Sequence, residues 1–119
     1  MAMALKRILV VEDNDDVRGL FRLALALDGF EVIEARTGLD AIQSFETNAP
    51  DLVVLDLGLP DFDGLAVQQE ITAQSHGRHT PIIVVTSSPR DLSHLASARI
   101  LLKPVLPDEL VMTVRRCLT

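Results

Sequence analysis

The chain has 119 residues, enough for one domain, and its 11 Lys and Arg against 17 Asp and Glu give a net charge of −6. Such an acidic domain is a poor candidate for binding nucleic acid through its own surface. Its single cysteine, Cys117, excludes an internal disulfide and any multi-cysteine metal site. No apolar run approaches the length of a membrane span and no signal peptide is visible, so we expect a cytoplasmic protein without membrane contact.

Five short apolar runs alternate along the chain with segments of helical period. The runs lie at residues 8–11, 31–34, 52–55, 82–85 and 100–102. Continuous apolar runs are typical of strands that are covered on both faces, as in a parallel sheet. The sequence therefore predicts five buried strands.

The helical segments between these runs have readable ends. The expected caps or first residues, in chain order, are Asn14, Thr37, Gly64, Ser88 and Pro107. Gly29 is placed to end the first helix. The fourth segment is short, because it has an apolar face of barely two turns. Strands and helices that alternate with short connections imply a doubly wound α/β sandwich with right-handed crossovers, formed by residues 1–119 as a single domain.

Polar residues stand at the carboxyl ends of four predicted strands. Glu12 and Asp13 follow the first strand, Asp56 and Thr86 follow the third and fourth apolar runs, and Lys103 follows the fifth. Any one of them is more simply explained as the start of a loop. In doubly wound sheets, however, these ends meet at one edge, which is where such folds bind ligands. Five polar residues at one edge therefore favour a functional site.

Convergent carboxylates repel one another and raise each other's pKa, and a divalent cation relieves this repulsion. Mg²⁺ prefers hard oxygen ligands and accepts few of them from protein. Asp13 and Asp56 suit direct ligation, Glu12 suits contact through water, and a backbone carbonyl near Gly58 is a further candidate. Asp61 and Asp63 are expected to be solvated loop acids, and the alternative is that they help to attract the cation.

A phosphoryl group is the ligand that the remaining side chains suit. Lys103 offers a positive charge and Thr86 a hydroxyl donor for phosphoryl oxygens. Such a site performs phosphoryl transfer by neutralising charge and positioning the reactants. Asp56, at the centre of the edge, is the candidate nucleophile that forms an acyl phosphate.

Four stretches carry a family pattern: ILVVEDNDDVR, PDLVVLDLGLPDFDG, PIIVVTS and LLKP, in this order and spacing. From about residue 6 to residue 118, the chain resembles the receiver domain of two-component response regulators, of the CheY-like superfamily. The resemblance implies a flavodoxin-like five-stranded parallel sheet of order 2-1-3-4-5 with five helices, the fourth shortened. In this family the bond that corresponds to Lys103–Pro104 is often cis.

The resemblance implies a role for each residue at the strand ends. Asp56 would accept a phosphoryl group from a histidine kinase or a histidine phosphotransfer protein, and Glu12 and Asp13 would hold Mg²⁺ with it. Thr86 would be the switch hydroxyl, and Lys103 would pair with the phosphoryl group. The protein is then mainly a switch of protein–protein interactions that assists its own phosphorylation and dephosphorylation. The sequence does not identify the downstream effector, and it is compatible with a homodimer.

Two departures from the family pattern leave an alternative open. Ile100 stands where receivers usually carry an aromatic residue, and the segment from 87 to 102 is shorter than expected. We therefore expect the phosphorylation chemistry to be kept and the output surface to be changed. The alternative is a degenerate receiver that acts as a phosphorylation-independent interaction module. A phosphohydrolase of the haloacid dehalogenase type is disfavoured, because Gly58 stands where those enzymes carry a second aspartate.

Overall fold

A computed structural model of the chain describes residues 5–61, 63–75, 79–87 and 99–119, and these residues form five strands and four helices. The strands are β1 (Arg7–Val11), β2 (Glu31–Ala35), β3 (Leu52–Asp56), β4 (Ile82–Thr86) and β5 (Arg99–Leu102). The helices are α1 (Asp15–Leu27), α2 (Gly38–Asn48), α3 (Gly64–Gln74) and α4 (Pro107–Leu118). The predicted short helix that begins at Ser88 falls on residues 88–98, outside the described residues, and α4 is the predicted fifth helix.

All five strands are parallel, and the sheet order β2-β1-β3-β4-β5 confirms the predicted flavodoxin-like arrangement. The order switches between β1 and β3, which are neighbours in the sheet although β2 separates them in sequence. Val11 pairs with Leu55, so Glu12, which follows β1, and Asp56, which ends β3, reach the same edge of the sheet. The predicted site residues thus lie at the topological switch point, where folds of this class bind ligands.

The core has two layers because side chains of successive strand residues point to opposite faces of the sheet. On one face, β-strand residues pack against α2 and α3 through Phe45, Val67 and Ile71. On the other face they pack against α1 and α4 through Phe21, Leu25, Leu110 and Val114. Burial of each such side chain contributes roughly 1.5–3 kcal/mol. Helices cover both faces, which explains the continuous apolar runs of β3 and β4.

The helix ends follow local signals in the sequence. Asn14 caps α1, its Oδ1 accepting a hydrogen bond from Val17 N at 3.0 Å, and Gly29 follows the helix with a φ of 93°. Thr37 caps α2 in the same way, its Oγ1 accepting from Asp40 N at 3.1 Å. These caps confirm the predicted helix ends. Within the described residues, no helix combines the length and apolarity that a membrane crossing requires.

Candidate functional site

Three carboxylates meet at the carboxyl edge of the sheet. Glu12 and Asp13 follow β1 and Asp56 ends β3, and one oxygen from each lies within 4.8 Å of the other two. Backbone hydrogen bonds hold both strand ends: Glu12 N donates to Ala35 O at 3.0 Å after β1, and Leu57 N donates to Val85 O at 3.1 Å after β3. Glu12 and Asp56 are buried and Asp13 is exposed. The fold therefore concentrates negative charge at a point that solvent screens poorly.

Lys103 compensates part of this charge. Its Nζ lies 3.1 Å from Glu12 Oε1 and 3.2 Å from Asp56 Oδ2. Its backbone N donates to Thr86 O at 2.9 Å, and the Lys103–Pro104 peptide is cis, as expected. Burial acts to lower the pKa of Lys103, but the charges of Asp56 and Glu12 outweigh it and raise that pKa above its usual value. The ammonium is therefore charged throughout the physiological range.

Glu12 remains poorly compensated. Burial is the largest cause that raises its pKa, to about 7, and the charge of Asp56 adds to it, although Asn14 N donates to Oε2 at 3.1 Å. Within the described residues Oε1 is fully buried and receives no well-directed hydrogen bond, although Lys103 Nζ lies at ion-pair distance. A buried carboxylate oxygen without a hydrogen bond is costly and calls for a positive partner.

This arrangement fits a hard divalent cation. Three carboxylates around one point supply the charged oxygen donors that Mg²⁺ prefers, and the exposed Asp13 leaves one side open to water. A cation held by these carboxylates would add positive charge near the buried Glu12 and offset the mutual repulsion of Glu12 and Asp56. The residues present are therefore compatible with the cation that the sequence led us to expect.

Both oxygens of Asp56 are held in place. Gly58 N donates to Oδ1 at 2.9 Å, and the Lys103 ammonium faces Oδ2. A Cβ at Gly58 would lie 3.5 Å from Oδ1 and 4.0 Å from Oδ2, so a longer side chain at this position would reach over the carboxylate. Glycine leaves that approach open. An oriented, partly neutralised carboxylate of this kind is equipped to act as a nucleophile.

Thr86 completes the set of predicted residues as the last residue of β4. Asp56 pairs with Val85, so Thr86 stands one residue further toward the same edge of the sheet. On its other side Thr86 pairs with Leu102, next to Lys103. Thr86 is largely buried. All the residues predicted from the strand ends thus gather at one edge.

Two loop acids have partners that the sequence analysis missed. Asp61 holds the start of α2, because its Oδ1 accepts from Gly38 N at 2.7 Å and its Oδ2 from Leu39 N at 3.1 Å. Asp63 caps α3 by accepting from Leu65 N at 3.0 Å. Both acids are exposed, as expected, but they serve helix ends. Asp63 was readable as a cap just before the helix, whereas no local signal connects Asp61 to a helix 23 residues away.

Comparisons with known proteins agree on one family. The family model described as the response regulator receiver domain matches residues 8–115. The regulatory protein AtoC of Escherichia coli K12 is 35% identical over 120 residues, which are 97% of this chain but only 26% of that protein. The polar-differentiation response regulator DivK of Brucella ovis is 37% identical over 82 residues, 69% of this chain and 67% of that protein.

Solved structures show the same similarity. A CheY-like response regulator receiver domain protein from Methanospirillum hungatei superposes with a TM-score of 0.89 and 28% identity, over 97% of this chain and 94% of that one. A CheY-like receiver domain from Methylobacillus flagellatus gives a TM-score of 0.85 and 27% identity, over 95% and 98%. The chain thus spans nearly the whole of these structures and about a quarter of AtoC.

Proposed function

This chain belongs to the response regulator receiver domain family, and on that premise we propose that it is the phosphoacceptor of a two-component or phosphorelay system. Receiver domains in general work with histidine kinases and effector proteins. In the proposal, residues 1–119 act as a single receiver in the cytoplasm, where a histidine kinase takes its phosphoryl group from ATP. The observation that carries the proposal is the Asp56 carboxylate, held between the Gly58 N–H and the Lys103 ammonium beside two further carboxylates.

The proposed reaction moves a phosphoryl group from a phosphohistidine to Asp56. An Asp56 oxygen attacks phosphorus, the N–P bond breaks, and the histidine nitrogen keeps the electron pair, so that an acyl phosphate forms on Asp56. Lys103 already faces this carboxylate, so its charge is available to the incoming phosphoryl oxygens. Thr86, at the end of the neighbouring strand, supplies a hydroxyl donor.

The acidic cluster has a separate task in the proposal. Glu12, Asp13 and Asp56, with the backbone carbonyl of Gly58, would hold Mg²⁺. When bound, the cation neutralises the negative charge that gathers on the transferring group. The support for this assignment is the donor set itself, together with the buried Glu12 Oε1.

The proposed output is a change in the proteins that this chain binds. Ile100 lies on β5, paired with Val84 and 39% exposed, at the position where receivers usually carry an aromatic residue. A switch that depends on burying an aromatic ring is not available to this side chain. This residue favours the second candidate function, a phosphorylation-independent interaction module. The complete set of charged residues around Asp56 favours the first.

Intact-mass measurement separates the two candidates. The protein is incubated with acetyl phosphate, with and without Mg²⁺, beside Asp56→Asn and the control Asp40→Asn, which changes an exposed acid of α2. The proposal predicts one Mg²⁺-dependent phosphate adduct on the wild type and on Asp40→Asn, and none on Asp56→Asn. Absence of an adduct on the wild type, where another receiver labels, would favour the interaction module.

A further inference from the structure

Arg18 connects the acidic cluster to two other elements. It lies on α1, and its side chain is only 12% exposed. Nη1 donates to the backbone carbonyl of Glu12 at 3.0 Å, Nη2 donates to Asp15 Oδ1 at 2.7 Å, and Nε donates to Glu34 Oε1 at 3.2 Å. One guanidinium therefore joins the loop after β1, the first turn of α1 and strand β2.

The direction of the Glu12 backbone carbonyl affects the geometry of the acidic cluster. The carbonyl belongs to the planar peptide that joins Glu12 to Asp13, so its direction sets where the Cα of Asp13 lies. The two neighbouring polar groups of Glu12 are also engaged, since its N–H bonds Ala35 O and its Oε2 accepts from Asn14 N. Arg18 supplies the contact that fixes this peptide from the side of α1.

We propose that Arg18 is a positioning residue for the cation site, which orients the Glu12 and Asp13 carboxylates by holding the peptide between them. The inference rests on the proposed function, since it concerns the cation that assists phosphoryl transfer. Arg18 itself contacts a carbonyl and two carboxylates outside the cluster, Asp15 and Glu34. It is therefore a partner that orients metal ligands, a class of contact that tunes metal affinity.

The charge of Arg18 and its positioning role predict opposite effects. Loss of a positive charge near an acidic site strengthens the attraction of that site for a cation. Loss of the contact that orients the ligands weakens cation binding. Arg22 offers a matched control, because it is an arginine of the same helix whose Nε lies 3.7 Å from Glu34 Oε2. Among the described residues, the side-chain hydrogen bond to the Glu12 carbonyl comes from Arg18.

Calorimetric titration with Mg²⁺ tests the proposal directly. The wild type, Arg18→Ala and Arg22→Ala are titrated in the absence of a phosphodonor. We expect Arg18→Ala to raise the Mg²⁺ dissociation constant about tenfold, the lower end of the range for partners that orient metal ligands. Arg22→Ala should leave the constant unchanged or lower it. Arg22→Ala should also keep the wild-type rate of labelling by acetyl phosphate, because the ion-pair partner of Arg22 is Glu34, which lies outside the acidic cluster.

Each outcome decides the matter. A dissociation constant for Arg18→Ala that equals or falls below that of Arg22→Ala overturns the proposal, because only the charge effect then remains. If Arg18→Ala does not fold, Arg18→Lys replaces it; a single ammonium cannot keep all three contacts, so the proposal requires a smaller shift in the same direction. A wild type that binds Mg²⁺ but never labels would refute the proposed function alone. A wild type that does not bind Mg²⁺ would refute both.

Discussion

The buried charge of Glu12 should destabilise the protein when no divalent cation is present. Replacement by glutamine, Glu12→Gln, removes this charge and keeps the shape of the side chain and an oxygen that can accept from Asn14 N. Burial and the charge of Asp56 raise the pKa of Glu12 from 4.5 to about 7. Between these two pH values the unfolded chain has released the proton and the folded chain still holds it, so stability falls as pH rises.

The size of the effect follows from the same shift. A rise in pKa from 4.5 to about 7 corresponds to about 3 kcal/mol of lost stability once both states are ionised. The Glu12→Gln variant should therefore exceed the wild type in unfolding free energy by about 3 kcal/mol at pH 8 and by under about 1 kcal/mol at pH 5. Mg²⁺ should reduce the difference at pH 8, because it stabilises the wild-type cluster more than the variant.

Urea unfolding followed by circular dichroism, with EDTA at both pH values, measures this difference. Glu46→Gln, which changes an exposed glutamate of α2, is the matched control and should have little effect at either pH. A Glu12→Gln variant that is less stable than the wild type at pH 8 in EDTA would refute the reasoning. That result would mean that the ion pair with Lys103 outweighs the cost of burying the carboxylate.

Three further predictions concern the loops around the site. Gly64→Ala should lower the unfolding free energy by about 1–3 kcal/mol, because the added Cβ would lie 2.5 Å from a backbone atom. Urea unfolding of this variant is compared with that of Gly19→Ala, whose added Cβ would meet open space. A destabilisation of equal size in both variants would contradict it. Gly58→Met should slow loss of the phosphate adduct in a mass time course, since the longer side chain covers Asp56; faster loss would argue against this shielding. Asp61→Ala should lower the unfolding free energy by about 1 kcal/mol, because it removes the acceptor of two backbone N–H groups at the start of α2. An unchanged midpoint in urea unfolding would show that these two hydrogen bonds are dispensable.

The parts of the fold that the sequence predicts correctly depend on local patterns. Asn14 and Thr37 cap their helices through residues three positions away, and the strands follow from short apolar runs. The site was predictable for a different reason: parallel strands end at one edge, so residues at their ends must converge. Once the residues at the strand ends are known, the parallel sheet predicts that Glu12 and Asp56 lie close together.

The contacts that escaped prediction join residues that no local pattern connects. Asp61 meets the start of α2 across 23 residues, and Arg18 reaches the Glu12 carbonyl through a turn whose shape is not evident from residue types. Gly64 was expected at the start of the third helix, and the structure adds a reason for glycine at this position. Its added Cβ would lie 2.5 Å from Leu57 Cα, so glycine permits the close approach of α3 to the preceding loop.

The central claim is that Asp56 is the residue that receives the phosphoryl group, and mapping the adduct tests it most directly. Borohydride converts an aspartyl phosphate to homoserine, and trypsin then separates the two acids of the cluster that would compete. Asp13 lies in the peptide 8–18 and Asp56 in the peptide 37–78, which contains no internal Lys or Arg. We predict homoserine at position 56 only, from acetyl phosphate and from a phosphorylated histidine phosphotransfer protein alike. Homoserine at position 13, or at none of the aspartates, would contradict the claim.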